Sequence, residues 1–465
     1  MSKICPIDAS SVPLYPPRVT PPPKPLNLPQ LFIRFLRNPL LTIPESVYHE
    51  PLVVLRGPAA IVWVTDPALV KIVLDHSDDF PQDPLLRRVL GGLFGNSILT
   101  SEGRDWRWQH QMVVPLFRHG EIVRYVPSMV AGAESAIKAW SAAAPGSTHA
   151  IDADMLRATY HVISKTLLPG SAALIGETMR QGTTDYVKGI AWSIVYAVLN
   201  LPVWLPRPGC RRMRFWQTRL RALVADMIHA RHTSPDDRDN LLTRLLGAAD
   251  PETGQPMPEE RLVDNLLTFL LAGHHTIAMT LTWTLYLLSR APEWEARILE
   301  EIWRVVPSGP VTGEHLDRLV TVQQVLKESM RLYPPLPVMT RYTAKNVELA
   351  GEHIKPGTLI GLPIYVIHRH RKLWDDPDRF DPGRFATERG ASYSRYQFMP
   401  FGAGPRICIG AAFALIEATA MLATLVRAAR FESPPVQEPI PVSRVVLVPK
   451  HGMPLQVTMR GGVEH

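Results

Sequence analysis

Cysteine is scarce in this chain: Cys5, Cys210 and Cys408 are the three among 465 residues. No two stand at Cys-x-x-Cys spacing, which excludes a zinc site built from thiolates. An odd, small count suits a reducing compartment. The N-terminus has no signal-peptide core and no run of about 20 apolar residues, so no transmembrane anchor is expected. The stretch from Gly189 to Val203 is apolar but short, and it reads as a buried helix. Excess charge is modest: 50 Lys and Arg against 43 Asp and Glu give +7. The basic residues are scattered, with no stripe of interleaved aromatics, so a nucleic-acid surface is not expected. The excess reads as solvated surface, or as a basic docking patch for an acidic protein. There is no internal repeat and no linker that would separate two domains.

Proline, by contrast, is plentiful at 45 residues. That many breakers imply many helix ends and long ordered loops. The rest of the composition, 46% apolar and 20% charged, is that of a globular protein. Residues 1–30 form a proline-rich leader, expected to lie extended on the body of the protein. Residues 31–465 read as one large domain, mainly α with small β-sheets. Residues 52–64 predict two short strands around a Gly-Pro turn. Asp66 and Pro67 then open a helix, as N-cap and first residue. Helical patterns dominate from Trp106 to about Leu332. Short strands are expected again over 338–366, and the C-terminal VVLVPKHGMPLQVTM reads as a strand hairpin.

One loop carries the chemistry. Residues 401–410 read Phe-Gly-Ala-Gly-Pro-Arg-Ile-Cys-Ile-Gly, and an apolar helix follows. A lone cysteine before a helix is usually a packed core residue. Here the glycines allow close backbone approach to a ligand, and amide N–H groups near a helix N-terminus can stabilise a thiolate. The spacing Phe401-x-x-Gly404-x-Arg406-x-Cys408-x-Gly410 resembles the heme-binding signature of the cytochromes P-450. The resemblance extends from about residue 50 to 460.

That resemblance implies the cytochrome P450 fold and a heme b (iron protoporphyrin IX) cofactor, with Cys408 as axial ligand to the iron. Phe401 would shield the sulfur, and Arg406 would pair with a heme carboxylate. Trp106 and His110, one helical turn apart, and Arg341 resemble further propionate-binding positions. Most members have Arg where His110 stands. Glu328-Ser-Met-Arg331 resembles the family's buried Glu-x-x-Arg pair, with Arg384 as its partner in a network that fixes the cysteine loop. Alone, such a pair is commonly a surface ion pair.

The segment Ala272-Gly273-His274-His275-Thr276 resembles the family's oxygen groove. The glycine is expected to let the helix pass close over the heme and to widen it locally. Thr276 would hydrogen-bond dioxygen and pass protons to it. The plain alternative for Thr276 is a bond back to the carbonyl of Ala272. His275 stands where most members carry an acid. It reads as part of the proton route or as a histidine bonded to a neighbouring helix. By resemblance, substrate contacts come from Leu336, Val338, Met339, Val445 and Val446, among others. The run His368-Arg-His-Arg371 is expected to face water.

The implied activity is a bacterial, cytoplasmic monooxygenase that inserts one oxygen atom into a hydrophobic small molecule. With no flavin or iron–sulfur module in the sequence, electrons are expected from a separate ferredoxin or flavodoxin with its reductase. Arg104, Arg107 and Arg118 would line the docking face. Two alternatives remain open: a peroxide-driven peroxygenase, against which Thr276 argues, and a non-enzymatic heme-based ligand binder.

Overall fold

The structure is a computed structural model, and it describes residues 13–461 apart from 58–59, 234–240, 251–252, 435–437 and most of 168–207. Most of the predicted helix from Gly189 to Val203, and Cys5, lie outside the described residues. The proline-rich segment runs extended from residue 13 along the body. Phe380 donates its N–H to the Leu14 carbonyl, Tyr333 its hydroxyl to the Pro17 carbonyl, and Val19 its N–H to the Tyr365 hydroxyl. Helix α1 (Leu28–Arg37) starts with Asn27 capping the Gln30 N–H, so residue 30 falls inside a helix and not at its edge.

Strands β1 (Leu52–Leu55) and β2 (Ile61–Val64) pair antiparallel, as the Gly-Pro turn predicts. Helix α2 (Pro67–Asp75) begins where expected: Asp66 accepts from the Ala68 and Leu69 N–H groups. Then come α3 (Pro84–Phe94), α4 (Gly103–Val113) and α5 (Val126–Ser141), strand β3 (Ser147–Ala150), α6 (Ile151–Leu167) and α7 (Cys210–Thr233).

The centre of the molecule is α8 (Glu259–Arg290), 32 residues and so about 48 Å long. Two glutamates in its first turn and an arginine in its last complement the helix dipole. Pro292 starts α9 (Pro292–Val305), and α10 (Val320–Leu332) carries the Glu-x-x-Arg pair. Helix α8 is buried along nearly its whole length and packs against α3, α6, α7 and α10.

Strands β4 (Met339–Tyr342), β5 (Val347–Leu349), β6 (Glu352–Ile354) and β7 (Leu359–Leu362) follow, and a short helical turn, Ile364–Ile367, replaces the end of the predicted strand region. The main sheet has the order β1-β2-β7-β4. Helix α11 (Ala411–Ala428) leaves the cysteine loop and packs on α5, α8, α9 and α10. It is long and apolar enough to cross a membrane by composition, and most of it is buried in this core.

Strands β8 (Ala429–Glu432), β9 (Pro441–Ser443), β10 (Leu447–Pro449) and β11 (Pro454–Met459) close the chain. The expected C-terminal hairpin does not form. β10 pairs with β9, while β11 lies between β3 and β8. In that position β11 satisfies backbone groups on both edges, which pairing with β10 alone would not do.

Candidate functional site

Cys408 sits between a glycine turn and the start of α11. Gly402 and Gly404 have φ of +73° and +74°, a backbone state that side chains disfavour. A Cβ on Gly404 would come within 3.1 Å of Leu74, so this glycine is needed for the turn and for contact with α2. The Cys408 N–H donates to the Phe401 carbonyl at 2.9 Å and closes the loop. The Gly410 N–H reaches the Cys408 sulfur and favours thiolate, while burial among protein atoms pushes the thiol the other way and prevails. Despite these neighbours, the residue is solvent-accessible.

A cationic cluster lies beside the loop. Arg406 donates to the Ser101 carbonyl at 2.9 Å, and its guanidinium lies 4.6 Å over the Trp106 ring. Trp106 in turn sits 4.8 Å from the His110 ring, one turn along α4. Burial and the nearby Arg341 lower Arg406 to about 10. Burial and Arg406 lower His110. Arg341 is lowered by burial, with Glu102 acting the other way. Two half-desolvated guanidiniums that repel each other call for anionic partners. The two carboxylates of a heme meet that need, and a single accessible soft thiolate suits its iron. The donor set therefore fits heme. Among the described residues no cluster of three or more His, Cys, Asp or Glu could hold a metal ion by itself.

On α8, Ala272 is accessible in the middle of a helix whose neighbouring turns are buried. The helix is continuous α-helix through Gly273, with no local widening. A Cβ on Gly273 would meet Ile163 at 3.0 Å, so the close approach this glycine permits is to α6. The first point corrects the expected local widening, and the second adds a contact on the α6 side of the glycine. Thr276 donates its hydroxyl to the Ala272 carbonyl at 2.9 Å, the plain alternative. His275 has a buried Nδ1 with no hydrogen-bond partner among the described residues, and burial lowers its pKa to about 4. His274 turns inward instead, bonded to the Leu270 carbonyl and edge-on to Tyr160.

Glu328, Arg331 and Arg384 come together in the core. Arg331 meets both carboxylate oxygens of Glu328, and the Arg384 Nε lies 3.5 Å from the same carboxylate. The residues named for substrate contact are less uniform. Leu336 is exposed, Val338 packs on the main core, and Met339 lies near Gly402. Val445 has φ of +100° in the turn before β10, a strained state for a β-branched residue, and Val446 follows it.

The solvated reading of 368–371 is wrong for its first three residues. His368, Arg369 and His370 are buried. Arg369 stacks 4.0 Å over Tyr365, and Arg371 pairs with Asp378 at 2.7 Å. The apolar run Leu359–Ile367, just before them, was the signal that the chain is still inside the protein there. Ser101, which holds Arg406, was also missed, and its sequence context carries no mark of that role.

The family model for cytochrome P450 matches residues 19–457. The chain belongs to the cytochrome P450 family. It is 34% identical over 86% of both chains to cyclooctat-9-en-7-ol 5-monooxygenase of Streptomyces melanosporofaciens. It is 30% identical to pentalenene oxygenase of Streptomyces avermitilis, over 92% of this chain and 94% of that one. The crystal structure of the cytochrome P450DA heme domain has the same fold, with a TM-score of 0.83 at 24% identity, covering 96% of this chain and 99% of that one. This P450 is a heme-thiolate monooxygenase, an oxidoreductase that acts on small molecules.

Proposed function

We propose that this P450 inserts one oxygen atom from O2 into a hydrophobic cyclic alkene or its alcohol, as the names of the two Streptomyces relatives suggest. The observation that carries the site assignment is the Cys408 loop, with the Gly410 N–H on an accessible sulfur. Heme b bound there would supply dioxygen activation, with the thiolate donating electron density to the iron.

The chain's own residues divide the remaining work. Cys408 is the metal ligand, and Phe401 keeps water from its sulfur. Arg406, Arg341, Trp106 and His110 hold the heme carboxylates. Glu328, Arg331 and Arg384 anchor the segment that leads to the loop. Ala272 and Gly273 shape the distal face. Thr276 and His275 move protons there. The hydroxyl of Thr276 must give up its bond to Ala272 to donate elsewhere, at a cost of about 1 kcal/mol. Burial keeps His275 neutral near pH 7, so it acts as a relay and not as a stored charge. Leu336, Val338, Met339, Val445 and Val446 contact the substrate.

Electrons come from a separate ferredoxin or flavodoxin, with its reductase. Arg104, Arg107 and Arg118 are exposed on and just after α4 and suit an acidic partner. A reducing bacterial cytoplasm suits the free Cys210 and Cys408.

Turnover of cyclic alkenes with a reconstituted electron-transfer chain tests this reading. Oxygenated product that depends on NAD(P)H, O2 and the partner supports it. Product with hydrogen peroxide alone assigns a peroxygenase, and heme binding without any turnover assigns a ligand binder.

A further inference from the structure

His368 joins two parts of the molecule that the sequence keeps far apart. Its ring is fully buried, packed 5.4 Å from Phe398 and edge-on to Trp374 at 6.5 Å. Nε2 accepts the Met399 N–H at 3.0 Å. Nδ1 lies 3.2 Å from the Arg331 carbonyl, which is an acceptor. An acceptor at one nitrogen and a donor at the other fix the tautomer: Nδ1 carries the proton and Nε2 does not. The bond is reciprocated, since Arg331 Nη1 donates to the His368 carbonyl at 2.8 Å.

Beyond Met399 the bonds continue to the ligand loop. The Met399 carbonyl accepts from the Gly402 N–H at 3.0 Å, and the Phe401 carbonyl accepts from the Cys408 N–H at 2.9 Å. A short relay of backbone bonds therefore leads from Arg331 through one imidazole to the loop that presents Cys408.

We propose that His368 is a positioning residue for the Cys408 loop, transmitting the placement of Arg331 to Met399 through a single fixed tautomer. The proposal rests on Cys408 being the iron ligand. A lost bond at Met399 leaves a buried N–H without an acceptor and frees the entry to the loop. The thiolate bond to iron then becomes easier to disrupt.

The test uses the heme-loaded protein and three variants, His368→Gln, His368→Asn and His368→Phe. The readouts are the reduced carbon-monoxide band that names the family, its rate of conversion to the shorter-wavelength form in mild urea, and the heme reduction potential. Gln places an amide oxygen where Nε2 lies and can accept from Met399. Asn reaches only the Arg331 side, and Phe keeps the ring but neither bond. Gln keeps the acceptor at Met399 and loses the bond to Arg331, so it is expected to convert somewhat faster than wild type and more slowly than Asn or Phe. Asn and Phe are expected to convert about tenfold faster, the equivalent of one buried hydrogen bond. Should Phe fail to fold, the contrast between Gln and Asn decides alone. Gln no better than Asn, or Phe the mildest of the three, would overturn the proposal. A wild-type protein without the family band would overturn the ligand assignment itself, and this proposal with it.

Discussion

Glu328 and Arg331, three residues apart on α10, form a two-pronged ion pair at 2.7 and 2.8 Å with both side chains fully buried. The remaining guanidinium hydrogens go to the carbonyls of His368, Pro377 and Arg379. Every donor of Arg331 is thus used, and the Glu328 carboxylate also accepts the Asp381 N–H. The pair ties three loop carbonyls to one helix, so its role is to hold a fold of chain and not to add surface charge.

Arg331→Lys should fail despite keeping the charge. A lysine has three donors on a flexible stem and cannot meet five fixed acceptors. The expected loss is about 3–5 kcal/mol, the scale for breaking a buried pair. Urea unfolding followed by tryptophan fluorescence checks this. A loss near that of a surface substitution would refute it.

Acid should destabilise the protein at mildly low pH. His274 and His368 are lowered by burial to about 3, and His275 to about 4, from an ordinary value of 6.5. The unfolded chain takes up these protons first. The stability from the neutral rings is therefore full above pH 6.5 and is lost as pH falls towards the folded values. Urea midpoints measured from pH 7 to 5 should decline, and His274→Leu should make the decline shallower. An unchanged slope in that variant would contradict the assignment.

Glu417 has the opposite sign. It is fully buried on α11, burial raises its carboxyl well above 4.5, and one oxygen has no hydrogen-bond partner among the described residues. The folded state holds the proton that the unfolded chain gives up. Stability from this group is full below pH 4.5 and falls as pH rises towards its raised value. Glu417→Gln should therefore gain on wild type as pH rises from 5 to 8, seen as a growing difference in thermal midpoint. A difference that does not vary with pH would count against a protonated carboxyl.

Reversing charge at Arg104 and Arg107 should slow reduction by an acidic electron donor about tenfold at low salt, with the difference shrinking as salt rises. Stopped-flow reduction kinetics with a ferredoxin checks this. Equal rates at low salt would move the docking face elsewhere.

Much of this was legible in the sequence for identifiable reasons. The Asp66-Pro67 start of α2, the strands at 52–64 and the Cys408 loop are set by local chemistry: a cap, a turn and a spacing. What was missed depends on partners distant in sequence. Residues 368–370 read as a charged run, and their burial is made tolerable by Tyr365 and Asp378 around Arg369, by Arg331 and Met399 at His368, and by Glu50 at His370. The C-terminal strands alternate as a hairpin would, yet β3 and β8 compete for β11 and win. Gly273 matched its motif, but its close neighbour is Ile163, which no pattern around residue 273 could reveal.

The central claim is that Cys408 binds the heme iron as a thiolate. The direct measurement is the reduced carbon-monoxide difference spectrum of wild type and Cys408→Ser, each loaded with heme. The account predicts the band that names the family in wild type and its loss in Cys408→Ser. A serine variant that keeps that band would contradict it.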